Sequence, residues 1–256
     1  MKGFARLTVV SLATLAVTCT SARAPDATPT PTAAPGGSAP LAGAPTGAPA
    51  WVEMSDERAH DYLLENQYVY MVNLVLEPNA ATRVHRHRHD FVAVATGGGQ
   101  VSDEIAGKAP VVLKLKKGEV RFIEGGISHA VRNLGSAPFR EVIIELKQDD
   151  PAHKAAASKW EETGGIKTAG GARREILFVR DGVRVSTLLL APGSVEPPRV
   201  HSAAEVLVAV SDLDVGKGDA SAKLKAGEVQ WRGGRYTGTL SNNGKQPAKM
   251  VLLEFK

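Results

Sequence analysis

Residues 69–78 read VYMVNLVLEP, and residues 183–192 read VRVSTLLLAP, a similar segment 114 positions later. Two further pairs recur in the same order at an offset of 109 positions: LKLKKGEV at 113–120 with AKLKAGEV at 222–229, and VIIEL at 142–146 with VLLEF at 251–255. Three matches in one order, with a loop difference of five residues, are hard to obtain by chance. A period this long indicates two copies of a domain rather than a solenoid of short repeats.

From Trp51 onward the chain consists of short runs rich in β-branched and aromatic residues, separated by glycine. Short strands at regular spacing with turn signals are typical of an all-β sandwich or barrel. We therefore predict an all-β chain with one domain at residues 51–147, a connector at 148–172 and a second domain at 173–256.

The first copy carries a regular arrangement of glycine, histidine and asparagine. Gly118 is followed by five residues, then by EGG at 124–126, two residues, His129, three residues and Asn133. This spacing resembles the second motif of the cupin family, in which a proline stands where this chain has Glu124. The resemblance covers the chain from about residue 51 and implies two tandem double-stranded β-helix barrels of the jelly-roll type.

The first cupin motif is matched in spacing as well. Asn79 stands at the glycine place, HRH follows at 85–87, and the glutamate of the family is replaced by Phe91. Alternate residues of a strand share a face, so His85 and His87 can both point into a barrel, where His129 from another strand can join them. Imidazole suits Fe, Mn, Ni, Cu or Zn, so we predict a divalent transition metal at these three residues.

The missing glutamate leaves the fourth ligand open. His89 shares the inward parity of the two motif histidines and is the favoured candidate, whereas Asp90 has the opposite parity and needs a β-bulge to reach a metal. In the rival interpretation both are polar residues of the barrel rim. His60 and His153 lie outside both motifs and are predicted to be surface residues.

The second copy keeps only part of this ligand set. The motif places are held in order by Gly193, Arg199, His201, Glu205, Gly227, Gly238 and Asn242. Because two ligands rarely hold a transition metal, His201 and Glu205 predict a degenerate barrel, kept for structure, pairing or a second ligand. Arg199 could bind a carboxylate there, although a pairing of Arg199 with Glu205 is preferred.

Residues 1–24 are typical of an export signal. Lys2 and Arg6 precede an apolar stretch at 7–17 that is short for a membrane span, and Cys19 follows, the only cysteine of the chain. A cysteine there resembles a bacterial lipoprotein signal, in which the thiol is lipidated; the alternative is cleavage after the ARA at 22–24. Both predict an exported protein without disulfides, periplasmic or anchored to the outer envelope of a bacterium.

Two further segments are predicted to lie outside the barrels. Residues 25–50 are almost entirely Pro, Ala, Thr and Gly, a composition that predicts a disordered tether. Within the connector, alanine and lysine between Pro151 and Glu162 favour a short helix, and glycine pairs at 164–165 and 170–171 flank a loop.

The function classes follow from charge and from the resemblance. A net charge of +4, scattered along the chain, argues against nucleic acid as a partner. Three-histidine cupins often activate dioxygen or a chelating substrate, which implies a metal-dependent oxygenase or oxidoreductase acting on a small molecule. A non-catalytic small-molecule or sugar receptor is the alternative, and a sugar isomerase or epimerase is less expected in an exported protein. No catalytic residue is assigned, and the chain could be a monomer or a dimer.

Overall fold

A computed structural model describes residues 51–147, 160, 163–180, 182–196, 199–201, 204–217, 221–233 and 236–256, the side chains of 199–201, 236 and 237 excepted. The predicted signal, tether and connector helix lie outside these residues, apart from Trp160. Within them, no helix has the length and apolar character that crossing a membrane requires.

The first barrel consists of two five-stranded sheets. One sheet has the order β1 (Val52–Glu53), β4 (His85–His87), β9 (Ile127–Asn133), β6 (Gly99–Ile105) and β7 (Val111–Leu115). The other has the order β2 (His60–Glu65), β3 (Val69–Leu76), β10 (Phe139–Leu146), β5 (Phe91–Ala95) and β8 (Val120–Ile123). All pairs are antiparallel except β1 with β4, and a single 3-10 turn, Met54–Asp56, follows β1.

The second barrel has one six-stranded sheet and two small ribbons. The sheet has the order β11 (Gly165–Ala169), β12 (Ala172–Arg180), β13 (Val183–Leu190), β20 (Ala248–Phe255), β15 (Glu205–Ala209) and β18 (Val229–Arg232). The ribbons are β14 (Arg199–His201) with β19 (Tyr236–Gly238), and β16 (Leu213–Val215) with β17 (Ala222–Leu224). β11 is a strand where the sequence predicted a loop, because the glycines at 170 and 171 form a tight hairpin that pairs it with β12.

The internal duplication is confirmed by strand register. Residues related by the two sequence offsets face each other in both copies: Val69 with Leu146 and Val183 with Phe255, His85 with His129 and Arg199 with Gly238. Register is set by which face of a strand is buried, so equal registers mean equal inward positions. Each site residue of the first barrel therefore has an identifiable counterpart in the second.

The last asparagine of each cupin motif makes the same three hydrogen bonds. The Asn133 amide donates to the carbonyl oxygens of Leu76 and Ala137 at 2.9 and 2.8 Å and accepts from the Gly135 amide at 2.8 Å. The Asn242 amide donates to Leu190 and Gln246 at 3.0 and 2.7 Å and accepts from Gly244 at 2.9 Å. Each buried asparagine thereby fixes the turn between the last two strands of its barrel.

The largest apolar cluster draws on both copies. It contains Val92 and Ile144 of the first barrel together with Val206 and Leu253 of the second. Tyr68 lies beside it, with its ring centroid 5.4 Å from that of Trp231 and 5.7 Å from that of Phe255. The two barrels therefore share one apolar cluster, and each barrel also has a cluster formed by its own residues alone.

Candidate metal centre

Three histidines meet inside the first barrel. His85 and His87 lie on the same face of β4, and His129 on β9 is the direct strand partner of His85. All three are buried, and one ring nitrogen from each lies within 4.8 Å of the other two. The structure thus brings together the three residues that the cupin motifs singled out.

Each of the three rings is oriented by an oxygen at its Nδ1 atom. The acceptors are the Arg83 carbonyl for His85 at 3.0 Å, the Glu145 carboxylate for His87 at 3.0 Å and the Asp103 carboxylate for His129 at 2.7 Å. A carbonyl or carboxylate oxygen can only accept, so Nδ1 carries the proton and Nε2 presents a lone pair. Metal-binding histidines are commonly held in this way by a second ring of oxygen partners.

Two of these lone pairs face each other. The Nε2 atoms of His85 and His87 are 3.1 Å apart, and burial lowers the pKa of His85 to about 3, helped by the neighbouring His129. The pKa of His87 also lies well below its usual value, mainly because of burial. A proton shared between the two nitrogens is therefore disfavoured as the reason for their short distance. A common metal ion accounts for it, because two nitrogens that each lie about 2.1 Å from one ion, at a right angle, are about 3.0 Å apart. His129 Nε2 is buried and has no hydrogen-bond partner in the part of the chain that the structure describes, so the donor set fits a metal ion.

The family's missing carboxylate is replaced by an aromatic contact. Phe91 is buried and stacks on the His87 ring, with centroids 4.0 Å apart and planes inclined by 18°. Glu145 on β10 is the strand partner of Phe91 and reaches the far side of His87 instead. Among the described residues, no carboxylate joins the three nitrogens in the group of ligand atoms that could share one ion.

Glu145 and Asp103 are site residues that the sequence did not predict. Glu145 had a signal, because a glutamate recurs at its place within two otherwise apolar segments, VIIEL and VLLEF. Such a residue on a buried strand needs a polar partner, and here that partner is His87. Asp103 had no comparable signal, since its partner comes from β9, 26 positions away.

The structure does not bring His89 or Asp90 into the cluster. β4 ends at His87, so the alternation that would turn His89 inward stops before it. His89 instead lines a surface pocket of about 380 Å³ together with Tyr70 and Glu145. Asp90 is buried and accepts a hydrogen bond from the Gly125 amide at 2.7 Å. A Cβ at Gly125 would lie 2.3 Å from the carbonyl carbon of His89, so glycine is required there.

His60 is not the surface residue that the sequence predicted. Its ring packs edge to face on that of His85, with centroids 4.8 Å apart, and its Nε2 atom is buried. The cause is the strand pairing of β2 with β3, which joins His60 to the wall of the barrel. His153 lies outside the described residues.

In the second barrel, ion pairs occupy the equivalent interior. Glu205 is fully buried and its carboxylate lies 3.2 Å from Arg232, which stands at the place of Ile123. Glu254, the counterpart of Glu145, pairs with Arg174 at 2.6 Å and with Arg184 at 2.9 Å. The side chains of Arg199 and His201 are not described, so the predicted pairing of Arg199 with Glu205 stays a prediction.

A narrow cavity adjoins the three histidines inside the first barrel. Its volume is about 20 Å³, which holds about one water molecule. His85, His129 and Phe91 line it, and Arg121 and Glu141 form a polar wall with an ion pair of 3.4 Å. Burial raises the pKa of Glu141.

No protein-family model matches the chain, and no curated protein matches it. Solved structures do. A cupin 2 conserved barrel domain protein from Leptotrichia buccalis is 10% identical with a TM-score of 0.50, over 77% of this chain and 88% of that one. A variant of salicylate 1,2-dioxygenase from Pseudoaminobacter salicylatoxidans, in complex with gentisate, is 11% identical with a TM-score of 0.57, over 80% and 76%. Oxalate decarboxylase from Bacillus subtilis, which has Mn(II) centres, is 14% identical with a TM-score of 0.53, over 83% and 78%. The chain has the cupin fold in two tandem barrels, as predicted.

Proposed function

We propose that the first barrel binds a divalent transition metal through the Nε2 atoms of His85, His87 and His129 and acts as a metal-dependent oxygenase or oxidoreductase on a small molecule. The observation that carries the proposal is the 3.1 Å approach of two buried imidazole nitrogens whose protons are held elsewhere. The shared fold of a dioxygenase and of a decarboxylase with Mn(II) centres supports it.

The residues around the three histidines have different roles in such a centre. Burial keeps the rings of His85 and His87 neutral, and the oxygens of Arg83, Glu145 and Asp103 orient the three rings through their Nδ1 atoms. A metal held there supplies Lewis acidity and open coordination positions. Phe91 excludes water from one face of His87 by stacking on it.

The charge of the site favours an anionic small molecule. The three ligand nitrogens bring no charge of their own, Phe91 stands where the family's glutamate would face the ion, and the nearby carboxylates of Glu145 and Asp103 are hydrogen-bonded to the rings. Arg121 on the cavity wall is paired with Glu141 at 3.4 Å, and its Nε atom is buried and has no hydrogen-bond partner among the described residues. A carboxylate or phenolate would satisfy both the ion and this Nε atom. The volume of about 20 Å³ requires side-chain movement to admit it.

Elemental analysis tests this proposal. Full-length protein without a polyhistidine tag, purified from cells supplied with Fe, Mn, Ni, Cu and Zn, is expected to hold about one metal ion per chain. His129→Ala should lose that metal, and Glu124→Gln, an exposed change in the same motif, should keep it. Absence of metal from the wild type under all five conditions would contradict the proposal.

A second candidate is a non-catalytic small-molecule receptor, favoured by the second barrel, whose described interior holds ion pairs at places equivalent to the metal centre. The two candidates differ in turnover. Oxygen consumption or product formation by metal-loaded protein with a panel of aromatic and short-chain carboxylates supports the enzyme. Saturable binding of one of these compounds without turnover supports the receptor.

A further inference from the structure

We propose that Arg121 binds the carboxylate of a small-molecule ligand inside the first barrel, and that Glu141 competes with this ligand for the same guanidinium group. The inference rests on the proposed function for the reaction that follows binding, because the ligand would be the substrate of the same centre. It assigns the selection of that substrate to two residues that lie outside the histidine cluster.

Arg121 and Glu141 face the cavity that adjoins the histidines. Arg121 on β8 and Glu141 on β10 line it together with two of the three histidines. β5 lies between these two strands, and its residues beside them are Ala93 and Ala95. Both alanines belong to the apolar cluster inside the first barrel, so they face its interior. Because alanine has no side chain beyond Cβ, the two longer side chains can meet across β5 within the cavity.

The contact between Arg121 and Glu141 is long for an ion pair. The guanidinium nitrogen and the carboxylate oxygen are 3.4 Å apart. Charge-assisted hydrogen bonds between such groups usually measure about 2.7–2.9 Å. The Nε atom of Arg121 is buried and has no hydrogen-bond partner among the described residues. Arg121 therefore keeps a buried donor that the carboxylate of a ligand could use.

In the second barrel the same two places carry no ion pair. By strand register, Gln230 stands at the place of Arg121 and Met250 at the place of Glu141. Met250 is buried in an apolar cluster of that barrel. The barrel thus folds with an apolar residue where the first copy has a buried carboxylate, and a buried ion pair often contributes no more stability than apolar side chains do. The occurrence of the pair beside the histidines alone favours a role in binding.

The cavity reaches the side of the barrel where both sheets end. Its lining includes Leu113 on β7 and Ile123 on β8, which are the last strands of their sheets. Both residues are partly exposed, and 28% of the Arg121 side chain is accessible to solvent. A ligand that enters between these two edge strands therefore passes Arg121 on its way to the histidines.

Competition by Glu141 gives the two residues opposite effects on a ligand. Loss of the Arg121 guanidinium removes the positive group that a carboxylate binds. Loss of the Glu141 charge leaves that guanidinium without its counter-ion, so an anion from solution should bind more tightly. An ion pair with a purely structural role would not produce opposite signs, since either change would only weaken the barrel.

The test follows the binding of formate, the smallest carboxylate and therefore the one best suited to so narrow a cavity. The Nε–H signal of Arg121 is identified by its absence from Arg121→Gln and is followed by nuclear magnetic resonance during titration. Full-length protein is titrated when loaded with Zn(II) and again after removal of metal by a chelator. We expect a saturable shift of this signal with formate in both states, and no shift with formamide, which has a similar shape without the charge.

Isothermal titration then gives the dissociation constant of formate for each variant. Arg121→Gln should weaken binding by about tenfold or more, because it removes a charged donor. Glu141→Gln should strengthen binding by about tenfold, because it removes the competing charge. Arg132→Gln is the matched control: Arg132 lies 3.9 Å from Glu104, is not among the residues that line the cavity, and should be replaceable without effect on formate.

The outcomes separate the inference from the proposed function. A wild type whose Arg121 signal does not respond to formate in either state overturns the inference. A folded R121Q with the affinity of the wild type, a folded E141Q that binds formate more weakly than the wild type, or an R132Q that loses as much as R121Q overturns it as well. A wild type that binds formate at Arg121 but takes up no metal overturns the proposed function and leaves the carboxylate site in place.

Replacement variants guard against loss of folding, which circular dichroism detects. If E141Q is not folded, Glu141→Met takes its place, because methionine stands at the equivalent position of the second barrel and also removes the charge. If R121Q is not folded, Arg121→Lys takes its place, since lysine keeps the charge but loses the planar fork and should bind formate more weakly. A folded R121K that binds formate as the wild type does, or a folded E141M that binds it more weakly, overturns the inference.

Discussion

Phe91 sets the electrostatic character of the first barrel at the scale of a single residue. A glutamate at this place would bring a negative charge to the three imidazoles, whereas the phenyl ring brings only a stacking surface on His87. In the second barrel the same place holds Glu205, and an arginine, Arg232, accompanies it. In the second barrel the carboxylate at this place is paired with an arginine, whereas in the first barrel the carboxylates near the histidines, Glu145 and Asp103, are hydrogen-bonded to ring nitrogens.

Glu145→Gln tests how the chain orients a predicted ligand. The carboxylate of Glu145 holds the proton of His87 on Nδ1 and keeps its Nε2 atom aimed at the centre. Loss of such a partner typically weakens metal binding about 10- to 100-fold, and we expect that range here with any metal the wild type binds. Isothermal titration with Zn(II) measures it. Glu124→Gln, at an exposed site, should titrate as the wild type does, and equal affinities for E145Q and the wild type would contradict the assigned role.

Only some residues of the candidate site can be predicted from the sequence. His85, His87 and His129 follow from motif spacing, because alternation along a strand and one strand pairing suffice to place them. Glu145 does not, because its strand pairs with β5, far away in the chain. His60 does not either, because its own pairing is a local hairpin with β3 and its contact with His85 depends on how that hairpin packs in the barrel. Such pairings depend on the packing of the whole barrel, which local patterns do not encode.

At the scale of elements, the length of β4 decides which histidines face inward. The strand spans three residues, so its alternation serves His85 and His87 and stops short of His89. The sequence predicts alternation but not where a strand ends, since strand ends depend on partners across the sheet. The duplication, in contrast, is predictable, because equal apolar patterns impose equal registers in both barrels.

The buried asparagines offer a matched test at this scale. Asn133→Ala leaves two carbonyl oxygens and one amide without their partner, and we expect a loss of about 1–3 kcal/mol in the free energy of unfolding. Asn242→Ala should cost a similar amount, since its three bonds are the same. Urea denaturation of both variants measures the loss. Because β9 carries both His129 and Asn133, only N133A should also weaken metal binding; an equal effect of N242A would count against that link.

At the scale of the whole molecule, the shared apolar cluster makes the barrels thermodynamically dependent. The cluster that joins Val92 and Ile144 to Val206 and Leu253 adds a common apolar contact to the separate cluster that each barrel has of its own. Domains that share a core unfold together when the shared contacts are large relative to the rest.

We therefore expect one cooperative transition in calorimetry, and a metal should raise its midpoint as a whole. At 100 times the dissociation constant, ligand binding adds about 2.7 kcal/mol of stability. Addition of the metal that elemental analysis identifies, with a chelator as reference, gives the comparison. Two separate transitions, only one of which responds to the metal, would refute the shared apolar cluster as the basis of stability.

The ion pairs of the second barrel have a consequence for how the chain behaves when metal ions are in short supply. Glu205, Glu254, Arg174 and Arg232 balance one another from within, so this copy needs nothing from its surroundings to neutralise its interior. The interior of the first barrel, in contrast, is complete only when a metal ion from solution occupies the histidine centre. When metal is scarce, the first barrel would lose its metal-dependent activity. The second barrel would stay folded, because its interior does not depend on a bound ion, and the chain could bind metal again later.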